Sequence, residues 1–322
     1  MTPVFLFSLP RAGSTLLQRI LGAHEDIATT SEPWILLPFF YTLKPAGVYS
    51  EYSHSAATLA IEDFCRLLPA GQADYRNELH DFAMRLFQKA ARRPARYFLD
   101  KTPRYHLIAD EIVDSFPEAK FIFLWRNPLA VLASIVDTFL KGKWNVHDYK
   151  IDLFDGVDNL VRARARAGNR AITLRYEDLI ERGAESVSNL LKFLELPDRP
   201  ELIEKFSTVE LHGRVGDYTG TKDYSQLSRE PLEKWKSVLN NPLRRAWARR
   251  YLNWIGAERM VAMGYSLQPM LDELNALSMT GVNLGPDFIQ SIYGILCEIF
   301  EPEIIKRKLA LRHDWRKIHV HR

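Results

Sequence analysis

The chain reads as an α/β protein built on a parallel, doubly wound sheet. Two observations predict it. Four short, mostly apolar runs, Val4–Phe7, Tyr97–Leu99, Lys120–Trp125 and Ala171–Leu174, are each followed by apolar residues at helical spacing. The first run breaks into a tight loop that leads straight into a helix. Continuous apolar runs suit strands covered on both faces, and repeated strand–helix units wind into a parallel sheet.

The first unit is VFLFSLPRAGSTLLQRIL, from Val4 to Leu21. Pro10 and Gly13 end the strand, Ser14 or Thr15 is expected to cap the next helix, and Leu16, Leu17, Ile20 and Leu21 form its apolar face. Such a loop turns backbone N–H groups toward one point at the positive end of a helix dipole, which predicts a phosphate or an anion of that shape. It is not a nucleoside-triphosphatase loop. That motif carries Lys before its Ser or Thr, whereas this loop has Ser14 there and its cation, Arg11, lies before Gly13.

After the first helix, Glu32 and Pro33 precede an aromatic stretch, Trp34 to Tyr41. A carboxylate and aromatics at the carboxyl end of a strand suit a pocket wall. The plainer alternative is a helix-capping Glu32 over core aromatics. Residues 50–93 read as two helices split at Pro69-Ala70-Gly71, a helical cover, with Arg92, Arg93 and Arg96 on a solvated face. The strand at Tyr97 delivers Asp100, Lys101, Thr102 and Pro103, and Pro103 suits a first helical turn. The strand KFIFLW ends in Arg126-Asn127-Pro128, and Ser134 lies eight positions beyond Arg126 on the next helix. An Arg at a strand end suits forked phosphate recognition, with Ser134 as a second hand; the alternative is a salt-bridged Arg and a solvated Ser. A basic helix, Val157 to Ala167, leads to the last strand and RYEDL. HGRVGDYTGTKDYSQLS, which closes at Ser228, is too polar and Gly-rich for core and reads as a surface loop or lid. Leu232 to Ile255 returns to helix.

The 322 residues suit one large domain or two small ones. The expected division is a domain over 1–265, with the cover 50–93 inserted, and a helical, basic C-terminal extension over 266–322 that could serve self-association or surface contact. A net charge of +3 fits an anionic ligand and lacks the dense basic footprint of a nucleic-acid binder. Cys65 and Cys297 match no metal spacing or disulfide framework. No secretory signal and no bilayer-length apolar run is evident, so the expectation is a soluble, cytoplasmic protein.

Taken together, SLPRAGSTLLQRIL, FIFLWRNPLAVLAS and LRYEDLI resemble, in order and spacing, the sulfotransferases that use 3′-phosphoadenosine 5′-phosphosulfate (PAPS). The resemblance covers roughly residues 3–255. It implies a P-loop-like loop in which Arg11, Ala12, Gly13, Ser14 and Thr15 grip the 5′-phosphosulfate, while Arg126 and Ser134 hold the 3′-phosphate. The Gly-rich stretch matches loosely and adds Gly216 and Lys222. Cytosolic hormone and drug sulfotransferases carry a loop Lys and a His two places after a later Lys; here Arg11 and Pro103 stand there. The tyrosylprotein branch has a loop Arg, a Glu 21 residues later and a Lys after the second strand, positions on which Arg11, Glu32 and Lys101 fall. EPWILLPF also resembles bacterial sulfotransferases, including those of polyketide assembly lines.

The resemblance implies in-line transfer of a sulfonate to an acceptor hydroxyl, with Glu32 as base and Arg11, Lys101 and Ser14 stabilising developing charge, without a metal. His24, His54, His106 and His212 are reserve bases. The aromatic stretch points to an apolar or aromatic acceptor. The competing readings are a nucleotide kinase-like phosphoryl transferase, disfavoured by the missing Gly-Lys pair, and a non-catalytic module that binds PAPS or its product.

Overall fold

The architecture was obtained as a computed structural model, which describes residues 1–50, 52–211, 215–216, 228–300 and 319–320. Its strands are β1 (Thr2–Ser8), β2 (Ile27–Thr29), β3 (Tyr49–Ser50), β4 (Tyr97–Asp100), β5 (Lys120–Trp125), β6 (Ala171–Arg175) and β7 (His319–Val320). Five form one sheet in the order β2-β4-β1-β5-β6, with every neighbouring pair parallel. β3 and β7 make a separate antiparallel pair. The α/β fold with a parallel, doubly wound sheet is as the sequence predicts.

Helices α1 (Ser14–Gly22), α2 (Leu36–Tyr41), α3 (His54–Cys65), α4 (Gln72–Ala90), α5 (Ala109–Ser115), α6 (Pro128–Ser134), α7 (Gly156–Ala167), α8 (Tyr176–Glu181) and α9 (Gly183–Phe193) connect and cover the strands. Side chains alternate across β1. Phe5 and Phe7 join Phe121, Phe123 and Trp125 under α4 to α7, whereas Val4 and Leu6 join Ile122 and Leu124 under α1, α8 and α9. Both faces are dry, so the strands carry no polar alternation. Phe5 meets Phe116 edge-on at 5.0 Å. Each such fully buried ring contributes about 1.5–3 kcal/mol.

β1 is the central strand, with β4 on one side and β5 on the other. The chain winds to one side through β2 and β4, then crosses to β5 and β6. The carboxyl ends of β4, β1 and β5 therefore border the switch point where open α/β sheets bind ligands.

Local chemistry corrects four expectations. Neither Ser14 nor Thr15 caps α1; Gly13 occupies the cap with φ of +90°, a backbone suited to glycine, and no side chain caps the helix. β2 escaped sequence reading because three residues carry no periodicity; it pairs Ile27 with Tyr97. The helix expected over Leu232 to Ile255 is broken into Glu230–Glu233, Trp235–Val238 and Pro242–Ala262. Pro242 lacks an N–H and opens the last, and the Asn241 side chain caps it by accepting from the amides of Leu243 and Arg244. Arg93 and Arg96 are not merely solvated. Arg93 donates to the carbonyls of His24 and Ile27 at 2.9 and 2.8 Å, and Arg96 to Glu195, tying loops at the sheet edge.

Beyond Pro242–Ala262, helices Leu267–Ala276 and Leu284–Phe300 pack against it. Among the described residues, no helix is long and apolar enough to cross a membrane.

Candidate active site

A cavity of about 670 Å³ opens at the switch point. Its floor is the loop after β1. The Ala12 amide donates to the Leu9 carbonyl at 3.3 Å, closing a turn with Pro10 and Arg11 at its centre. Arg11 is left-handed, φ +66°, where a non-glycine residue costs about 1 kcal/mol. Such strain persists where the surroundings hold the backbone for a purpose. Gly13 has a second constraint. A Cβ there would lie 2.4 Å from the Tyr176 ring, so only glycine lets the loop approach α8. The amides of Ser14, Thr15 and Leu16 precede the first closed turn of α1, in which Leu17 N bonds to Gly13 O.

Cations gather around this loop. The Arg11 guanidinium donates to Ser134 Oγ at 3.3 Å and to Thr138 Oγ1 at 3.5 Å, and lies over the Phe139 ring. Thr138 and Phe139 belong to a π-helical turn, Ile135–Phe139, that continues α6 and aims both residues at the cavity. Arg126, 8 % exposed, donates to the carbonyls of Arg11 and Pro231 at 2.8 and 2.7 Å and lies 4.7 Å above the Tyr176 ring centre. Arg126 is thus held by carbonyls and a ring. Ser134 is not solvated either. It meets Arg11, so Arg11, Arg126 and Ser134 form one cluster.

On the opposite side stands a carboxylate–lysine pair. Glu32 Oε1 receives Lys101 Nζ at 2.7 Å, and Glu32 Oε2 receives Trp34 Nε1 at 3.1 Å. Lys101 Nζ also reaches Thr15 Oγ1 at 3.2 Å, so one ammonium joins the end of β4, the first loop and Glu32. Lys101 lies behind the wall, whereas Glu32 and Trp34 line the cavity. Trp34 is a second left-handed non-glycine residue, φ +57°. Glu32 is therefore a partner of Lys101 rather than a helix cap.

Next to Lys101, the Asp100 carboxyl is 1 % exposed and is pushed up to about 7, chiefly by burial. Thr102 donates to it at 3.0 Å, and this bond and the Lys101 charge oppose the rise.

Of the remaining expected site residues, Gly13, Ser14, Thr15 and Gly216 line the cavity, while Ala12 is buried beneath it. The residue before Gly216, Val215, accepts from the Ser31 hydroxyl beside Glu32. Lys222 and His212 lie outside the described residues, as does most of the expected lid. The other reserve bases serve structure and line no part of the cavity. His24 Nδ1 accepts from the Asp26 amide, His54 bonds the Lys44 carbonyl, and buried His106 meets Asp152 at 2.9 Å. Sequence reading missed Thr138, Phe139, Tyr176 and the Pro231 carbonyl. Tyr176 sits inside the quoted LRYEDLI segment, but nothing in its type announced a ring against Gly13.

Residues 3–200 match the model of the sulfotransferase family. The chain is 30% identical over 215 residues to nodulation protein NoeE of Sinorhizobium fredii, covering 58% of this chain and 48% of that protein. It is 24% identical over 202 residues to the protein-tyrosine sulfotransferase of Drosophila melanogaster, covering 60% of this chain and 38% of that one. The chain thus spans about half or less of these two curated relatives. Among solved structures, the sulfotransferase domain from the curacin biosynthetic pathway superposes with a TM-score of 0.52 at 20% identity, over 79% of this chain and 97% of that domain, which supports the fold. With a family match over more than half its length, on a sheet whose switch point carries a tight loop flanked by Arg11 and Arg126, the chain belongs to the sulfotransferase family of enzymes.

Proposed function

We propose that this protein transfers the sulfonate group of PAPS to the hydroxyl of an acceptor, with Glu32 as the base. The observation that carries the reading is the placement of Glu32. Its carboxylate lines the cavity while contacting Lys101, which itself reaches Thr15 of the anion loop. A proton acceptor and an anion site thus share one wall.

The residues fit the donor. Gly13 seats the loop against Tyr176, α1 offers its first amides, and Arg11 and Arg126 supply charge without the Lys of triphosphate loops. The loop residues Arg11 to Thr15 would hold the 5′-phosphosulfate, and Arg126 with Ser134 the 3′-phosphate; Gly216 and Lys222 belong to the segment assigned to the nucleotide end. Bound there, the donor supplies an activated sulfonate and a phosphate leaving group.

The chain's own residues then divide the work. Glu32 takes the acceptor proton as the hydroxyl attacks. One of its oxygens is tied to Lys101 in the resting site, so Lys101 turns toward the developing negative charge as Glu32 turns to the acceptor. Arg11, Ser14 and the loop amides stabilise that charge in place, which is usually the largest single contribution. Trp34, Phe139 and Tyr149 give the cavity aromatic walls that suit an apolar or aromatic acceptor.

The test is titration calorimetry with 3′,5′-adenosine bisphosphate, AMP and ATP in the absence of Mg²⁺. Micromolar binding of the bisphosphate, far weaker AMP binding, and loss of that difference in Arg126→Ala are expected. Equal weak binding of all three, or a preference for ATP that needs Mg²⁺, would overturn the donor assignment.

A further inference from the structure

Glu32 and Lys101 sit on two segments that meet only in the folded chain, and those segments are joined twice. The first join is the ion pair, at 2.7 Å. The second is the Leu36 amide, which donates to the Tyr105 hydroxyl at 3.2 Å. Leu36 lies four residues after Glu32, and Tyr105 four after Lys101. Both are buried. No side chain caps α2 at Ile35, so Tyr105 satisfies the first amide of that helix from a different element.

Tyr105 is itself fixed. It lies in the tight turn Pro103–Ile108, and its amide donates to the Thr102 carbonyl at 2.9 Å. Burial, with Asp100 beside it, pushes the phenol well above its ordinary value, so the hydroxyl stays protonated. The Glu32 segment needs such a hold. Ahead of Glu32 it is tied to α1, where buried Gln18 donates to the Thr30 carbonyl at 2.6 Å. Behind Glu32 comes Trp34, left-handed at φ +57°, a backbone that a non-glycine residue keeps only where its surroundings over-determine it. The Tyr105 contact falls two residues later.

In the transfer proposed above, the ion pair opens as Glu32 turns to the acceptor and Lys101 to the developing charge. The Leu36–Tyr105 bond moves neither proton nor charge. We infer that Tyr105 is a positioning residue for sulfonate transfer: its hydroxyl holds the Glu32 segment against the Lys101 segment while the ion pair is open. This inference rests on the roles assigned to Glu32 and Lys101.

The experiment compares the wild type with Tyr105→Phe and Tyr97→Phe, and repeats the first change in Glu32→Gln. Tyr97→Phe is the control. It removes another buried hydroxyl, one that donates to the Leu194 carbonyl at 2.6 Å on the opposite face of the sheet. Release of adenosine bisphosphate from PAPS is followed with naphthol or water as acceptor. Calorimetry with the bisphosphate reports folding and the donor site. The expected result for Tyr105→Phe is a kcat lower by about 10–10²-fold, with KM for PAPS and bisphosphate affinity within about twofold of the wild type. Tyr97→Phe should lose thermal stability and keep its kcat. In Glu32→Gln, the further change at Tyr105 should cost less than about twofold, because the group it positions is already gone. Unchanged kcat in Tyr105→Phe, equal kcat losses in the two Phe variants, or full additivity with Glu32→Gln overturns the inference. So does loss of bisphosphate binding together with turnover, which makes the hydroxyl a matter of folding alone. A wild type that releases no bisphosphate with either acceptor overturns the transfer reading and this inference with it; a wild type that turns over confines any of the other failures to Tyr105.

Discussion

Glu32 and Asp100 are two carboxylates beside one lysine, and their surroundings give them opposite characters. Glu32 borders the cavity, with one oxygen on Lys101 and the other on the Trp34 indole. Asp100 is sealed under the sheet end, bonded by the Thr102 hydroxyl, and raised to about 7 by burial. Residue type and sequence distance from Lys101 would rank Asp100 as the closer partner. Access to the cavity instead falls to the residue 69 positions away. A direct ion pair holds one carboxylate at the cavity wall, and burial makes the other part of the scaffold.

The contrast can be broken most severely at Glu32. Glu32→Gln keeps the shape and the contact to Lys101 but cannot take a proton. Turnover with PAPS and an acceptor should fall by about 10²–10⁴-fold while calorimetric affinity for adenosine bisphosphate holds. A variant that keeps full turnover would move the base elsewhere. Lys101→Met removes the charge that both carboxylates share. Turnover should fall by about 10²–10³-fold through lost stabilisation of the leaving oxygen, seen as a loss in kcat rather than in KM.

Asp100 sharpens the comparison through pH. An ordinary Asp titrates near 3.8 and Asp100 near 7, so between those values the folded protein holds a proton that the unfolded chain has released. Raising the pH through that window costs stability, and the cost is complete above it. Asp100→Asn cannot titrate and still accepts from Thr102. Urea unfolding should show the wild type losing on the order of a few kcal/mol between pH 4 and pH 8, and the variant losing much less. The smallest effect belongs to Thr102→Val. Its hydroxyl favours the charged form of Asp100, so its loss pushes the group further up and costs about 1 kcal/mol at pH 8, with less cost at pH 5. Equal loss at both pH values would mean the hydroxyl matters only for packing.

Much of the candidate site was legible in particular residues. Pro10 and Gly13 announced the loop, Arg126 at the end of KFIFLW announced a strand-end cation, and the resemblance to the tyrosylprotein branch, rather than the residues alone, singled out Arg11, Glu32 and Lys101 together. The capping role of Ser14 or Thr15 was misread, because a glycine at φ +90° against Tyr176 makes a capless start that residue preference cannot foresee. The π-turn that aims Thr138 and Phe139 was equally hidden, since one extra residue in a helical turn leaves the apolar spacing nearly unchanged.

By itself the sequence determined four of the five strands of the main sheet, most of the helices and the order of units, because hydrophobic runs, prolines and glycines act within a few residues. It also placed a cation-bearing loop directly after β1. Tertiary structure alone decided the partnerships: Lys101 with Glu32, Arg11 with Ser134 across 123 residues, and Arg126 over Tyr176. Those follow from sheet order and register, which place the ends of β1, β4 and β5 side by side. Sheet order arises from packing the whole chain around both faces of β1, a global minimum that no local window contains.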